Sequence, residues 1–331
     1  MGNSTNYSFT FIVLAYNHEQ YINEHLESIR FLVLKYGKRL HIELIITDDC
    51  SIDDTTKRIS NWLSVNRHLF AKVTFLQNTS NLGTCRTLLN ALERLQTKVC
   101  KITAGDDVYS YENIFENTQD THFSYMISGR TLYLYDGKVK KRISSTLFEV
   151  ATDCVYRNKP LIDRFIGYNF TNAPNIFYPT QLLNDMRTKE FLKKFKVIED
   201  YPLQLACAKY FPDTQFKLRN KVYVYYRRTS GSTYLVRSDQ FNSDLKKAYN
   251  FLLENVVHGL QRVKVRNRLI LSEVRPRLLK KFLNLETYLF IYQSVINLRS
   301  IYQQLRFSIV EIDQHQKHYD QIKKEAEQYD G

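Results

Sequence analysis

Apolar runs of strand length alternate with segments of helical periodicity along the first part of the chain. The runs at residues 9–14, 42–47, 73–77 and 99–103 are continuous enough for buried strands, and the segments between them repeat apolar residues every three or four positions. Strands that alternate with helices are typical of parallel sheets joined by right-handed crossovers. The pattern predicts an α/β fold with a doubly wound, mostly parallel sheet over roughly residues 1–120, flanked by helices.

Acidic residues follow two of these predicted strands. Asp48 and Asp49 end the second strand, where Ser51 can cap the next helix, and Asp106 and Asp107 follow the fourth strand. The carboxyl ends of parallel strands share one sheet edge, where open α/β sheets bind ligands. A single acidic pair is more often a solvated turn, but two pairs at equivalent strand ends are much less expected by chance. Carboxylates suit Mg²⁺ or Mn²⁺, with substrate phosphates and water as further ligands.

Composition places the chain among enzyme-sized globular proteins. Its 331 residues are 44% apolar and 14% aromatic, enough for one large domain with an appendage. The five cysteines are widely spaced and form no CxxC pair, which argues against a disulfide framework and a zinc knuckle. Residues 1–8 lack a signal-peptide pattern and residues 288–298 are too short to span a bilayer. We therefore expect a cytoplasmic protein.

Positive charge is concentrated in the second part of the chain. The whole chain carries +13, whereas residues 1–130 have 13 basic and 14 acidic residues. Residues 256–310 contain ten basic and two acidic residues interleaved with apolar ones. This composition suits an anionic membrane surface, a phosphate-bearing acceptor or nucleic acid. The chain has no RNP, KH, helix-turn-helix or zinc motif, so no nucleic-acid partner is expected and a nucleic-acid-binding protein is the least favoured alternative. Peripheral association with the inner face of a membrane stays open.

The ordered motifs resemble family 2 glycosyltransferases with the GT-A fold. The chain has neither a GxxxxGK[ST] phosphate loop nor a GxGxxG turn, which disfavours P-loop and dinucleotide-binding folds. The resemblance covers about residues 8–235 and rests on these segments in order: Phe11 to Asn17, Asp48 to Asp53, Asn81-Leu82-Gly83, Gly105-Asp106-Asp107, Glu199 to Pro202, and Tyr225 to Ser232.

The resemblance implies a domain organisation and an activity. A GT-A domain would occupy residues 1–235, with a nucleotide-sugar half at 1–120 and an acceptor half at 121–235, followed by a basic helical region at 236–331. The enzyme would be an inverting glycosyltransferase of the hexosyltransferase type. It would move a sugar from a nucleoside-diphosphate sugar, with UDP-sugars expected, to the hydroxyl of a glycan or lipid-linked acceptor. Surface polysaccharide or glycoconjugate synthesis would be its setting.

The same resemblance implies roles for donor-side residues. Ala15, Tyr16 and Asn17 would line the nucleotide pocket, and Asp49 would accept a hydrogen bond from the base. Asp106 and Asp107 would serve ribose, diphosphate and a divalent metal, Mn²⁺ or Mg²⁺. Asp200 would be the catalytic base, and Glu199 would orient or hydrogen-bond. Arg227 and Arg228 would lie near the diphosphate, and Arg86 would supply another cation near the donor unless it is an exposed helix residue.

Several alternatives stay open at the level of the sequence. Ala104 and Thr229 stand where many family members have an acid and a histidine, which keeps a catalytically degenerate scaffold in consideration. Glu199 and Asp200 could instead cap a helix that starts near Leu203. His18 and His25 are expected to be ordinary surface or helix residues. The C-terminal helices could dock on an anionic membrane, pack on the catalytic domain or form an oligomer contact.

Overall fold

The computed structural model of the protein describes residues 7–116, 125–228, 238–274, 277–307 and 310–329. The strands found in these ranges are β1 (Ser8–Ala15), β2 (His41–Asp48), β3 (Lys72–Gln77), β4 (Val99–Ala104), β5 (Val108–Tyr109), β6 (Tyr125–Ser128), β7 (Leu132–Tyr135), β8 (Lys138–Lys140), β9 (Ile176–Pro179), β10 (Gln215–Leu218) and β11 (Val224–Arg227).

The α-helices in the same ranges are α1 (Ile22–Tyr36), α2 (Thr55–Asn66), α3 (Thr84–Leu92), α4 (Ile143–Tyr156), α5 (Leu161–Ile166), α6 (Thr180–Asn184), α7 (Met186–Leu192), α8 (Asp200–Tyr210), α9 (Asp239–Asn255), α10 (Gly259–Glu273), α11 (Arg277–Leu283), α12 (Leu285–Ile296), α13 (Leu298–Arg306) and α14 (Ile312–Ala326).

A seven-stranded sheet forms the centre of the molecule, in the order β10-β6-β9-β4-β1-β2-β3. The four strands β3, β2, β1 and β4 are parallel, and only β9 runs antiparallel to its neighbours β4 and β6. The predicted α/β fold and its four early strands are confirmed. The sheet nevertheless extends beyond residue 120, because strands from the later part of the chain pair at the edge of β4.

The central strands are apolar on both faces because helices cover both faces of the sheet. Ile12 and Leu14 belong to a core shared with α3 and α8, whereas Phe11 and Val13 point to the opposite core, which includes residues of α1. A strand buried on both faces has a continuous apolar sequence instead of an alternating one. Because β1 is parallel to both β2 and β4, the carboxyl ends of these three strands lie at the same edge of the sheet.

A smaller four-stranded sheet, in the order β5-β11-β7-β8, lies beside the turn that follows β4. Its strand β11 pairs antiparallel with β5, which begins directly after Asp107. The small sheet therefore holds the second acidic pair against β11.

The helix α14 packs back onto the small sheet. Its His315 Nδ1 lies 2.8 Å from Tyr225 Oη, and its His318 Nε2 donates to the Tyr109 carbonyl at 3.3 Å. Tyr319 is only 1% exposed and belongs to a core with β7, β8 and β11. This end of the C-terminal region is thus packed against the small sheet. None of the described helices combines the length and apolar character needed to cross a bilayer.

We expect stability to fall on acidification because three histidines are buried. Burial lowers the pKa of His25, His315 and His318 from 6.5 to about 4. Between these values the unfolded chain binds protons that the folded chain does not, so the free energy of unfolding decreases as the pH falls through this window. Urea unfolding at several pH values across the window measures the slope of the free energy of unfolding against pH. In His318→Gln this slope should correspond to about one proton fewer than in the wild type. The exposed His258→Gln is the control, and equal slopes in both variants would contradict the expectation.

Candidate active site

A cleft of about 950 Å³ opens at the carboxyl edge of the central sheet. Its volume lies in the range of small-molecule sites. Most of the predicted site residues line it: Ala15, Tyr16, Asn17, Asp49, Asp106, Asp107, Glu199, Asp200 and Arg228. The structure therefore brings together residues that lie more than 200 positions apart in the chain.

The first wall of the cleft consists of two interlocked turns after β1 and β2. Asn17, with a φ of 54°, donates from its backbone N to Ser51 Oγ at 2.8 Å and accepts from the Ile52 N at 3.0 Å. Asp48 accepts from the backbone N and hydroxyl of Ser51 at 2.9 and 2.5 Å. Ser51 thus closes its own turn, and the expectation that it caps α2 is wrong, since Asp54 occupies that N-cap position.

Cys50 adopts a left-handed backbone conformation, with a φ of 64°. Such conformations favour glycine and cost other residues about 1 kcal/mol or more. Glycine adopts such a conformation without this cost, so the turn keeps a backbone conformation that its own residue disfavours.

Asp49 organises the loop that precedes α3. Its carboxylate accepts from Asn78 Nδ2 at 2.9 Å and from the backbone N atoms of Leu82 and Gly83 at 2.8 and 2.9 Å. Gly83 has a φ of 83°, and a Cβ there would lie 2.5 Å from the Lys196 carbonyl oxygen. Because a carboxylate offers about four acceptor positions, Asp49 keeps about one for a ligand in the cleft.

Asp106 and Asp107 form the floor of the cleft, and only Asp106 is half-buried. Asp107 is fully buried, and its Oδ1 accepts from the Arg227 backbone N at 3.0 Å. Its Oδ2 is buried and accepts no hydrogen bond from any described residue. Burial, followed by the neighbouring Asp106 carboxylate, raises the pKa of Asp107 well above its usual range. His25 Nδ1 holds the Asp107 carbonyl at 2.8 Å.

Arg227 lies behind this floor and does not line the cleft. Its Nε donates to the Asp106 carbonyl at 2.6 Å, and its guanidinium pairs with Glu24. Tyr319 donates to the same Glu24 carboxylate at 3.0 Å. The expectation that Arg227 lies near the diphosphate is therefore corrected, because an ion pair holds its side chain on the protein side of the site.

Arg228 follows directly after β11 and lines the cleft together with Tyr226, because side chains of extended chain alternate between its two faces. Its guanidinium lies 4.8 Å from the ring centre of Tyr226 and 5.6 Å from that of Tyr133, which are cation–π distances. The rest of the predicted segment, residues 229–232 with Thr229, lies outside the described residues.

Arg86 is exposed on α3 and is not among the cleft residues. Thr84 and Thr87 of the same helix line the cleft, and a residue one position before Thr87 is turned about 100° away from it. The expectation that Arg86 supplies a cation to the donor is therefore corrected in favour of an exposed helix residue.

Glu199 and Asp200 stand at the opposite wall, where α8 begins at Asp200 and not near Leu203. Asp200 Oδ1 accepts from the Tyr201 N at 2.6 Å. Burial raises the pKa of Asp200, and burial together with the Asp200 charge raises that of Glu199 to about 8. Both carboxylates lie in the cleft, so a capping position does not remove them from contact with a ligand.

The loop before these acids is held by a residue of the C-terminal region. Asp244 of α9 is fully buried, and its Oδ2 accepts from the backbone N atoms of Lys196 and Val197, each at 2.8 Å. The Cys85 backbone N donates to the Lys196 carbonyl from the other side at 3.1 Å. The C-terminal region also contributes Phe241 and Leu245 to the lining of the cleft.

Three supporting residues were missed by sequence reasoning: Glu24, Asp244 and His25. His25 is fully buried, which corrects the part of its expectation that placed it on the surface. Glu24 and Asp244 carry no local signal, because their partners are 203 and 48 positions away.

The floor of the cleft can accommodate a divalent cation. No group of three or more His, Cys, Asp and Glu residues with metal-binding geometry occurs in the described ranges. Asp106 and Asp107 supply two carboxylates, and the buried Asp107 Oδ2 without a partner is an acceptor that a cation would satisfy. Mg²⁺ and Mn²⁺ commonly take one or two protein carboxylates and complete their shell with phosphates and water, so the residues fit.

Comparisons with known proteins agree with this geometry. The family model described as Glycosyl transferase family 2 matches residues 10–178, which is just over half of the chain. A comparison with curated proteins gives no match.

Solved structures of glycosyltransferases share the fold. TarS 1-349 from S. aureus, in complex with UDP-GlcNAc, has a TM-score of 0.57 and 16% identity over 96% of this chain and 92% of its own. A longer TarS structure has a TM-score of 0.56 and 17% identity over 89% of this chain and 54% of its own, so the present chain spans about half of its length. The mannosyltransferase PcManGT from Pyrobaculum calidifontis, in complex with GDP-Man and Mn²⁺, has a TM-score of 0.55 and 13% identity over 95% of this chain and 84% of its own.

Identities this low show the fold alone, and they confirm the predicted GT-A architecture. The activity class rests on the family match, which includes the strands that carry both acidic pairs. The chain therefore belongs to Glycosyl transferase family 2 and is a glycosyltransferase.

Proposed function

We propose that the protein is an inverting hexosyltransferase that uses a nucleoside-diphosphate sugar, with UDP as the nucleotide. The acceptor is the hydroxyl of a glycan or lipid-linked glycan in surface polysaccharide or glycoconjugate synthesis. The observation that carries the proposal is one cleft in which Asp49, the Asp106–Asp107 pair and Asp200 all participate. These are the acids that a donor base, a diphosphate and a hydroxyl nucleophile would need.

The donor would lie along the carboxyl edge of the sheet. Asp49 has an acceptor position for a base N–H, and Tyr16, 44% exposed, offers an aromatic face in the same cleft. Arg228 can donate to the diphosphate from the β11 side of the cleft, where a guanidinium suits phosphate oxygens. The UDP-GlcNAc complex of TarS 1-349 supports UDP as the first nucleotide to test.

Asp106 and Asp107 would hold Mn²⁺ or Mg²⁺. Such an ion supplies positive charge that stabilises the leaving diphosphate. The protein's own contribution is to keep the two carboxylates in place, through Arg227 on the Asp106 carbonyl and His25 on the Asp107 carbonyl. PcManGT, which was determined with GDP-Man and Mn²⁺, supports a cation in this fold.

Asp200 would take the proton of the acceptor hydroxyl as that oxygen attacks the anomeric carbon. The bond to the nucleoside diphosphate breaks on the opposite face, so the anomeric configuration inverts. Burial together with the Asp200 charge raises the pKa of Glu199 to about 8, so Glu199 holds a proton near neutral pH. Asp200 is then available as the base.

Donor titration tests the proposal directly. We expect one member of a panel of UDP-, GDP- and dTDP-sugars to bind the wild type in calorimetry, with higher affinity when Mn²⁺ is present. Asp106→Ala should lose the Mn²⁺ dependence. Arg228→Ala should weaken binding by about 10-fold or more, because it removes a charge-assisted hydrogen bond. The matched control is Arg86→Ala, which removes an exposed arginine outside the cleft and should bind as the wild type does.

Two results would contradict the proposal in different ways. No binding by any nucleotide sugar would favour a catalytically degenerate scaffold. If donor binding is unaffected by Mn²⁺ and by Asp106→Ala, the proposed transferase activity would stand but the proposed metal site would be excluded.

A further inference from the structure

Exposed apolar side chains are concentrated in one part of the C-terminal region. Of the twenty-four large apolar side chains that are exposed in the described ranges, sixteen lie between residues 260 and 307. Monomeric proteins rarely expose a large contiguous apolar surface without a partner for it. We call the exposed side chains of α10 to α13 the basic apolar face.

The helix α12 has one exposed apolar side and one side that packs on the protein. Its exposed apolar residues follow the helical repeat, with two adjacent pairs: Leu285, Tyr288, Ile291, Tyr292, Val295 and Ile296. On its other side, Phe290 is 3% exposed and stacks on Tyr168 at 4.8 Å, and Glu286 is bonded to Tyr156 at 3.1 Å. The helix is therefore anchored on the protein by one side and presents an apolar side outward.

The neighbouring helices extend the same property. In α11, Leu278 and Phe282 are 71% and 67% exposed. In α13, Leu298 and Tyr302 are more than 60% exposed, and Phe307 follows at 77%. The three helices are 7, 12 and 9 residues long, too short to span a bilayer but suited to lie along one.

The basic apolar face is positively charged because both acids of residues 256–310 are neutralised by lysines. Glu273 pairs with Lys246 at 2.8 Å, and Glu286, only 1% exposed, pairs with Lys264 at 2.8 Å. Exposed cations accompany the apolar residues: Arg262, Arg266, Lys281, Arg299 and Arg306. The surface therefore combines apolar and cationic groups, and its exposed acid Glu273 is paired with Lys246.

We propose that the basic apolar face docks on the surface of a lipid bilayer that contains anionic phospholipid. Its cations complement the phospholipid charge, and its tyrosines combine an apolar ring with a polar tip, which suits the interface. A second copy is the less favourable occupant, since a two-fold contact would place the cations of each copy against those of the other. The inference rests on this surface alone and does not depend on the proposed donor chemistry.

Vesicle flotation of the full chain tests the inference. The probes are vesicles of phosphatidylcholine alone and of phosphatidylcholine mixed with phosphatidylglycerol. We expect the protein to float with the mixed vesicles, and increasing salt to weaken that binding.

Variants separate the two contributions to docking. The pair Phe282→Ser and Tyr292→Ser should lower partitioning by about tenfold for each side chain, because apolar area stays in water. Replacing Arg266, Lys281 and Arg299 by Gln should lower it by about fivefold for each cation on anionic vesicles only. The controls on α2 are Val65→Ser, 59% exposed, and Lys57→Gln, whose side chain is 69% exposed.

Each outcome supports or contradicts docking of the basic apolar face on a bilayer. Loss of flotation in the face variants, with the control variants unchanged, supports it. Absence of flotation by the wild type on mixed vesicles overturns it, and so does an equal loss in the controls. A dimer in sedimentation velocity that dissociates in the face variants, without vesicle binding, would assign the face to a second copy.

Discussion

Replacing Asp200 by Asn is expected to lower kcat by about 10²–10⁴-fold while donor affinity stays close to that of the wild type. Asn has nearly the same shape, and its side-chain oxygen can accept from the Tyr201 backbone N as Asp200 does at 2.6 Å. It cannot take a proton from an acceptor hydroxyl. The start of α8 should therefore persist while the base is lost.

Steady-state transfer and donor calorimetry on the same preparation measure the two expectations separately. The capping alternative makes a different prediction, because Asn and Asp cap helices about equally well. The control is Asp185→Asn, which changes an acid at the start of α7 that accepts from the Arg187 N at 2.8 Å. Unchanged turnover in both variants would assign Asp200 to capping and remove it from the chemistry.

The pH dependence of the same variant adds a second readout. Burial raises the pKa of Asp200, so the acidic limb of the wild-type rate should lie above the usual carboxylate range. This limb should disappear in Asp200→Asn if Asp200 is the base. Its persistence would assign the limb to another group.

Replacing Arg227 by Met is expected to reduce both stability and donor binding, the second large effect. The side chains of Arg227 and Glu24 are 8% and 13% exposed, so the variant leaves a nearly buried carboxylate without its cation. Removal of one partner from such a pair costs about 3 kcal/mol or more. The Asp106 carbonyl also loses the Nε donor that holds it at 2.6 Å, so the floor of the cleft loosens.

Urea unfolding and donor titration distinguish these two effects. Arg227→Lys keeps a cation near Glu24 but cannot reproduce both contacts, so it should recover most of the stability and little of the donor affinity. Arg187→Met removes an exposed pair with Asp185 and should leave the free energy of unfolding close to that of the wild type, because solvent screens exposed ion pairs. Wild-type donor affinity in a folded Arg227→Lys protein would show that Arg227 only stabilises the fold.

The strands and the two acidic pairs were predictable because their signals are local. Buried parallel strands such as β1 require unbroken apolar runs, and ligand-binding acids follow the strands that position them. Asp49 and Asp106 could therefore be placed at one edge before any contact was known. The antiparallel strand β9 could not be placed, since four apolar residues do not specify which strand they pair with.

Arginines were the least predictable site residues, because a long charged side chain has no local preference that fixes its partner. Arg227 and Arg228 are adjacent in sequence, yet one is paired with Glu24 and the other lines the cleft. Arg86, like Arg228, is an arginine close in sequence to a predicted motif, but it lies on an exposed side of its helix. Arg227 and Arg228 point in opposite directions because side chains alternate along extended chain. Arg86 is turned away from the cleft by its position around the axis of α3.

The sequence by itself determined the order of the parallel strands along the chain, the acids at their carboxyl ends and the membership of the family, because short-range apolar periodicity and turn residues encode them. Only the tertiary structure decided how these acids are held. Asp244 from α9 fixes the loop before Glu199, and Tyr319 from α14 supports the ion pair behind Asp106. Such contacts join residues tens to hundreds of positions apart, and they exist only once packing has excluded water from both partners.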